Sequence, residues 1–142
     1  MTTLPNPKEL QRTAQDAESA KERERLSGEK KRVEEQRQLH EVFMARDIGP
    51  EASDVVTAAV RRAAEQGKTE AQIFVFPASW TTDRGRRINN GEPDWPDSLE
   101  GFAKRAFDYY KKELHPLGYR AEARVLTFAE GIPGDVGVIL KW

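Results

Sequence analysis

From Lys8 to Asp47 the chain has no proline and is dominated by Glu, Lys, Arg, Gln and Ala, all strong helix formers. Only one aromatic residue, Phe43, precedes Phe74, whereas eleven lie between Phe74 and Trp142. Aromatic side chains dominate the area that a core buries. The asymmetry therefore divides the chain into a charged helical arm, residues 1–48, and a compact domain, residues 50–142. With 142 residues in all there is room for one core and an appendage, not for two cores.

The arm carries ten basic and ten acidic residues, so it has no net charge of its own. Opposite charges recur at helical spacing, Glu18 and Glu22 with Lys21 and Arg25, and Glu34 with Arg37 and Gln38 nearby. The apolar positions are sparse. Leu10, Ala14 and Ala17 are followed only by Leu26 and Val33 before Leu39, Val42 and Phe43. A coiled coil needs apolar residues at sustained a and d positions, and that seam is broken between Ala17 and Leu39. The arm reads as a solvated helix or as a weak coiled coil, with Gly28 a candidate break. Its last turn, through Leu39, Val42, Phe43 and Ile48, is apolar enough to dock.

Gly49-Pro50 ends the arm, and a second helix is expected over about 51–66, closed by Gly67. Ile73-Phe74-Val75-Phe76 is a run of β-branched and aromatic residues, expected as a strand covered on both faces and ended by Pro77. A third helix is expected from Asp97, with Asp97 and Glu100 as a capping box and Leu99, Phe102, Ala103, Ala106, Tyr110 and Leu114 as an apolar stripe. Strands follow at about 119–128 and 136–142, joined by a turn-rich link suited to a hairpin. The order α-α-β-α-β-β, with about three strands, predicts an α+β fold: a long N-terminal helix, then a small two-layer α/β sandwich.

Composition excludes several chemistries. The chain has no cysteine, hence no disulfide, thiolate metal site or cysteine nucleophile, which fits a reducing cytoplasm. His40 and His115 are the only histidines and are far apart in sequence, which argues against a histidine metal centre. The start of the sequence lacks the basic and apolar regions of a secretory signal, and no apolar run approaches a bilayer span. A net charge of -1 gives no general pull toward nucleic acid or an anionic membrane. No phosphate-loop string occurs.

The strongest site candidate is the stretch of nineteen residues from Ala78 to Pro96, which has no clear helix or strand pattern. It leaves a strand end and enters a helix N-terminus, where anions and ligands bind readily. Trp80, Thr82, Asp83, Arg84, Arg86, Arg87, Asn89, Asn90 and Trp95 are its candidate ligand-binding residues. The arginines offer planar donors to a phosphate or carboxylate, and the tryptophans offer ring faces. The competing reading pairs the arginines with Asp83, Glu92 and Asp94, clamping the loop down. Those carboxylates match no calcium-loop spacing, so no metal is assigned.

No catalytic set assembles, and no cofactor is implied. The leading expectation is a non-enzymatic cytoplasmic protein-interaction module, meeting a protein partner or a second copy through the N-terminal helix. One alternative is an anionic ligand, nucleotide or nucleic acid on the loop, nucleic acid being less favoured. A small enzyme using Asp83 and His115 is the other.

Overall fold

The computed structural model describes residues 3–142 and has two compact units, one ending at Glu41 and the other running from Val42 to Trp142. The first unit is helix α1, Pro7–Ala45, whose last turn belongs to the second unit. Asn6 caps it: its Oδ1 accepts from the Glu9 amide at 3.0 Å, and Glu9 Oε2 accepts from the Asn6 amide at 3.4 Å. Pro7, with its fixed φ, occupies the first helical position. The helix runs through Gly28 without a break, because good helix formers on both sides outweigh one glycine. Arg25 bridges Glu22 and Glu29 at 2.5 and 2.7 Å, and Arg37 bridges Glu34 and Glu41.

In the second unit, α2 (Ala52–Glu65) packs on strand β1 (Glu70–Pro77). A single helical turn, α3 (Arg86–Asn89), lies in the connection to α4 (Gly101–Tyr109). A wider π turn, Tyr110–Leu114, and a tight turn, His115–Leu117, extend α4 until Gly118 ends it at φ 103. Strands β2 (Arg120–Val125), β3 (Phe128–Ala129), β4 (Ile132–Pro133) and β5 (Asp135–Lys141) complete the chain. The α+β architecture agrees with the pattern read from sequence, while the second expected strand breaks in two. The strand pattern lapses at Leu126 and Thr127, which still bond across to Asp135 and Gly134, and β3 and β4 form a two-stranded ribbon closed by Glu130 and Gly131 at φ 52 and 80. Two successive positive φ values match the right-handed twist of such a hairpin.

The main sheet has the order β1-β5-β2, with β5 antiparallel to both neighbours. Strands β1 and β2 therefore run the same way but do not touch: β5 is inserted between them. Register places Ala71, Phe74, Phe76, Ala121, Ala123, Val125, Val136, Val138 and Leu140 on the helix side. A bulge at Ile73 keeps Ala71 in phase with Phe74 and Phe76 despite their uneven spacing. The opposite face carries Glu70, Gln72, Val75, Glu122, Arg124 and Lys141, and Val75 is 44% exposed. The expectation that β1 is covered on both sides is thus corrected, because the helices occupy one layer only.

Phe43, Phe76, Ala78, Ile88, Leu99, Ala103 and Val136 form the buried centre. Phe43 stands among Phe76, Trp80 and Phe102, with ring centroids 5.6, 4.8 and 6.2 Å away, whereas Val42 beside it is 63% exposed. The expected capping box at Asp97 is absent. Asp97 and Ser98 lie in a tight turn, Trp95–Ser98, in which the Ser98 hydroxyl donates to the Trp95 carbonyl at 2.7 Å. Leu99 is extended and 4% exposed, and α4 starts only at Gly101. Gly101 has φ 55, and a Cβ there would stand 2.7 Å from Met44 Cα, so glycine lets α4 begin against the end of α1.

Candidate functional site

The loop after β1 is ordered from within. Thr81, 5% exposed, donates its hydroxyl hydrogen to the Ala78 carbonyl at 2.8 Å and accepts from the Gly85 amide at 2.7 Å. Asp83 accepts from the Gly85 and Arg87 amides at 3.1 Å each, which holds the start of α3. Gly85 sits at φ 82 with its Cα face against Ala78, where a Cβ would come within 2.9 Å. Ile88 then plugs into the core.

Of the candidate ligand-binding residues, two arginines are paired. Arg86 meets Glu92 at 3.1 Å, and Arg87 lies 3.7 Å from Asp83 and 3.5 Å from Asp94. Arg84 is exposed at φ 56 and has no carboxylate within ion-pair distance among the described residues. Thr82 is exposed, and its amide donates to the Ser98 carbonyl at 2.9 Å. Asn89 and Asn90 are exposed at the end of α3, with backbone amides bonded to Gly85 and Arg86. Both tryptophans face other rings: Trp80 lies on Phe43, and Trp95 meets Phe107 edge-on at 5.4 Å.

The loop therefore holds its polar residues in two groups. Arg86 and Arg87 with Glu92, Asp83 and Asp94 form a cluster of two cations and three carboxylates, while Arg84, Thr82, Asn89 and Asn90 remain in water. An open groove of about 450 Å³ brings Asn89, Glu92 and Trp95 opposite Glu122, Arg124 and Phe128 of the sheet and ribbon. His115 is exposed and meets the Tyr110 ring edge-on at 5.9 Å. No hydrogen bond or ion pair joins it to Asp83 among the described residues. No group of three or more potential metal ligands occurs among those residues either.

The open sheet face carries a charge network that the sequence reading did not assemble. Arg124 bridges Glu70 at 3.0 Å and Glu122 at 2.9 Å, and Lys141 meets Glu122 at 2.8 Å. Lys141 first, then Arg124, hold the Glu122 carboxyl below the usual carboxylate range. Glu70 and Glu122 in turn raise the Arg124 guanidinium.

No family model, curated protein or solved structure matches this chain. Its function is read from its own side chains.

A second cavity shares only Trp95 with the candidate residues of the loop. Between α2, α4 and the sheet is an apolar crevice of about 120 Å³, with Val55 and Val56 on one wall, Phe102, Ala106 and Phe107 on the other, and Phe74 and Val138 at the base. The sequence reading put these residues in ordinary core stripes. Ala52, Ala103, Ala106 and Ala121, small apolar residues from three different elements, also line the crevice.

Among the described residues, no helix is long and apolar enough to cross a membrane.

Proposed function

We propose that this chain is a non-enzymatic, cytoplasmic protein-interaction module whose N-terminal helix is the partner-binding element, with a second copy as its first partner. The observation that carries the reading is the state of the aliphatic side chains on α1. Leu10, Leu26, Val33 and Leu39 are between 44% and 69% exposed, and the helix buries no residue before Phe43. Its helicity is supported instead by charge pairs around Arg25 and Arg37. A long helix that carries aliphatic side chains in water is a surface on which association buries apolar area at little ordering cost.

The charge balance favours protein over nucleic acid. Ten positive and ten negative residues on the arm neither attract a phosphate backbone strongly nor repel another copy of the same arm. The absence of cysteine fits a reducing compartment.

Sedimentation velocity on the intact protein over a wide concentration range tests the proposal. Concentration-dependent association, removed by the double variant Leu26→Glu and Val33→Glu, supports it. Monomers at every concentration, or association untouched by those substitutions, contradict it.

A further inference from the structure

We infer that the crevice between α2 and α4 is a binding site for a small aromatic carboxylate. Its volume, about 120 Å³, approaches the roughly 150 Å³ of an engineered apolar cavity that stays dry and takes up benzene. A single ring is therefore the largest flat guest that fits without repacking. The walls suit a ring better than an alkyl chain: Phe74, Trp95, Phe102, Phe107, Tyr109 and Tyr110 all contribute. Neighbours already meet edge-on, Phe74 with Phe102 at 5.2 Å and Trp95 with Phe107 at 5.4 Å, and a guest ring continues that packing.

The charge of the guest is set at the mouth. Arg46 lines it, with its guanidinium carbon 4.3 Å from the centroid of the Phe102 ring that forms one wall. Among the described residues Arg46 has no carboxylate within ion-pair distance. The segment bearing it is fixed, because Arg105 Nη1 donates to the Met44 and Arg46 carbonyls at 2.8 and 2.9 Å. A cation lying over one wall of an apolar crevice has its donors within reach of an anion whose ring lies inside. Glu51, whose carboxyl lies against Gly49, also lines the crevice and opposes a second negative charge. The site therefore selects a monoanion.

Arg46 and Ile48 lie at the end of the arm, but none of Leu10, Leu26, Val33 and Leu39, on which the proposed function rests, lines the crevice, so this inference and the proposed function succeed or fail separately. The test is titration of the intact protein with sodium benzoate and, separately, toluene, followed by calorimetry and ligand-observed NMR. Saturable binding of both is expected. Arg46→Gln weakens benzoate by about tenfold while leaving toluene unchanged. Glu51→Gln tightens benzoate, and Ala106→Phe, which fills the crevice, removes both ligands. Val55→Phe closes the crevice from a half-exposed position, 51% exposed in the native protein, and serves if Ala106→Phe does not fold. Absence of saturable benzoate binding, equal loss of both ligands in Arg46→Gln, or benzoate binding that survives the filled crevice overturns the inference.

Discussion

Replacing Phe43 with alanine should disable the domain although Phe43 sits on the helix that forms the arm. The side chain is 9% exposed and contacts three other rings, those of Phe76, Trp80 and Phe102. Truncating a buried phenylalanine costs about 3–5 kcal/mol through lost transfer energy and the cavity left behind. Total stability of such a domain is about 5–15 kcal/mol, so the loss is a large share of the whole. For a domain of about 100 residues each kcal/mol moves the midpoint by about 4–8 °C, so Phe43→Ala should lower it by at least about 12 °C. Val42→Ala, one residue away and 63% exposed, is the control and should change stability by no more than about 0.5 kcal/mol. The assay is thermal unfolding followed by near-UV circular dichroism, which reports the packed aromatic rings. A loss in Phe43→Ala below about 1 kcal/mol, or an equal loss in the control, refutes the placement of this ring in the core.

Three further outcomes follow from the same geometry. Thr81→Val removes one of the two acceptors of the Gly85 amide, Asp83 being the other, and should cost about 0.5–1.5 kcal/mol in urea unfolding, with an unchanged midpoint counting against the loop's internal scaffold. Gly101→Ala should cost clearly more than Gly118→Ala, because both glycines have positive φ but only at Gly101 does a Cβ meet backbone, 2.7 Å from Met44 Cα; equal losses in chemical denaturation contradict that contact. The Glu122 carboxyl is held below its unfolded value, so its contribution is present above the ordinary carboxylate range and is lost as pH falls through the lowered folded value. Its side chain is 39% exposed and screened, which keeps the effect under about 1 kcal/mol; Glu122→Gln should flatten the acid limb of a stability–pH profile, and parallel limbs speak against the network.

The arm and the helix-strand order are legible in the sequence because they rest on local preferences. A proline-free run of helix formers specifies α1, and the apolar run Val138-Ile139-Leu140 specifies a strand, though not its place between β1 and β2. The start of α4 is not legible: Asp97 and Glu100 have capping-box spacing, but burial of Leu99 keeps that residue extended and delays the helix to Gly101. The phase change at Ile73 is hidden for a similar reason, since only pairing with β5 shows which side each residue takes. In the loop, the composition showed which charges were present but not which pairs form. Arg86 pairs with Glu92, Arg87 bridges Asp83 and Asp94, and Arg84 is left outside by its positive φ. The crevice was beyond reach, because its lining comes from α2, β1, the loop, α4, β2 and β5, and no stretch of sequence brings those together.

The reading of the arm as the partner-binding element is tested most directly by amide hydrogen exchange on the intact protein at low and high concentration. Amides around Leu26, Val33 and Leu39 should exchange more slowly as concentration rises while those of the core strand β5 do not change. Exchange in the arm that is fast and independent of concentration would contradict that reading.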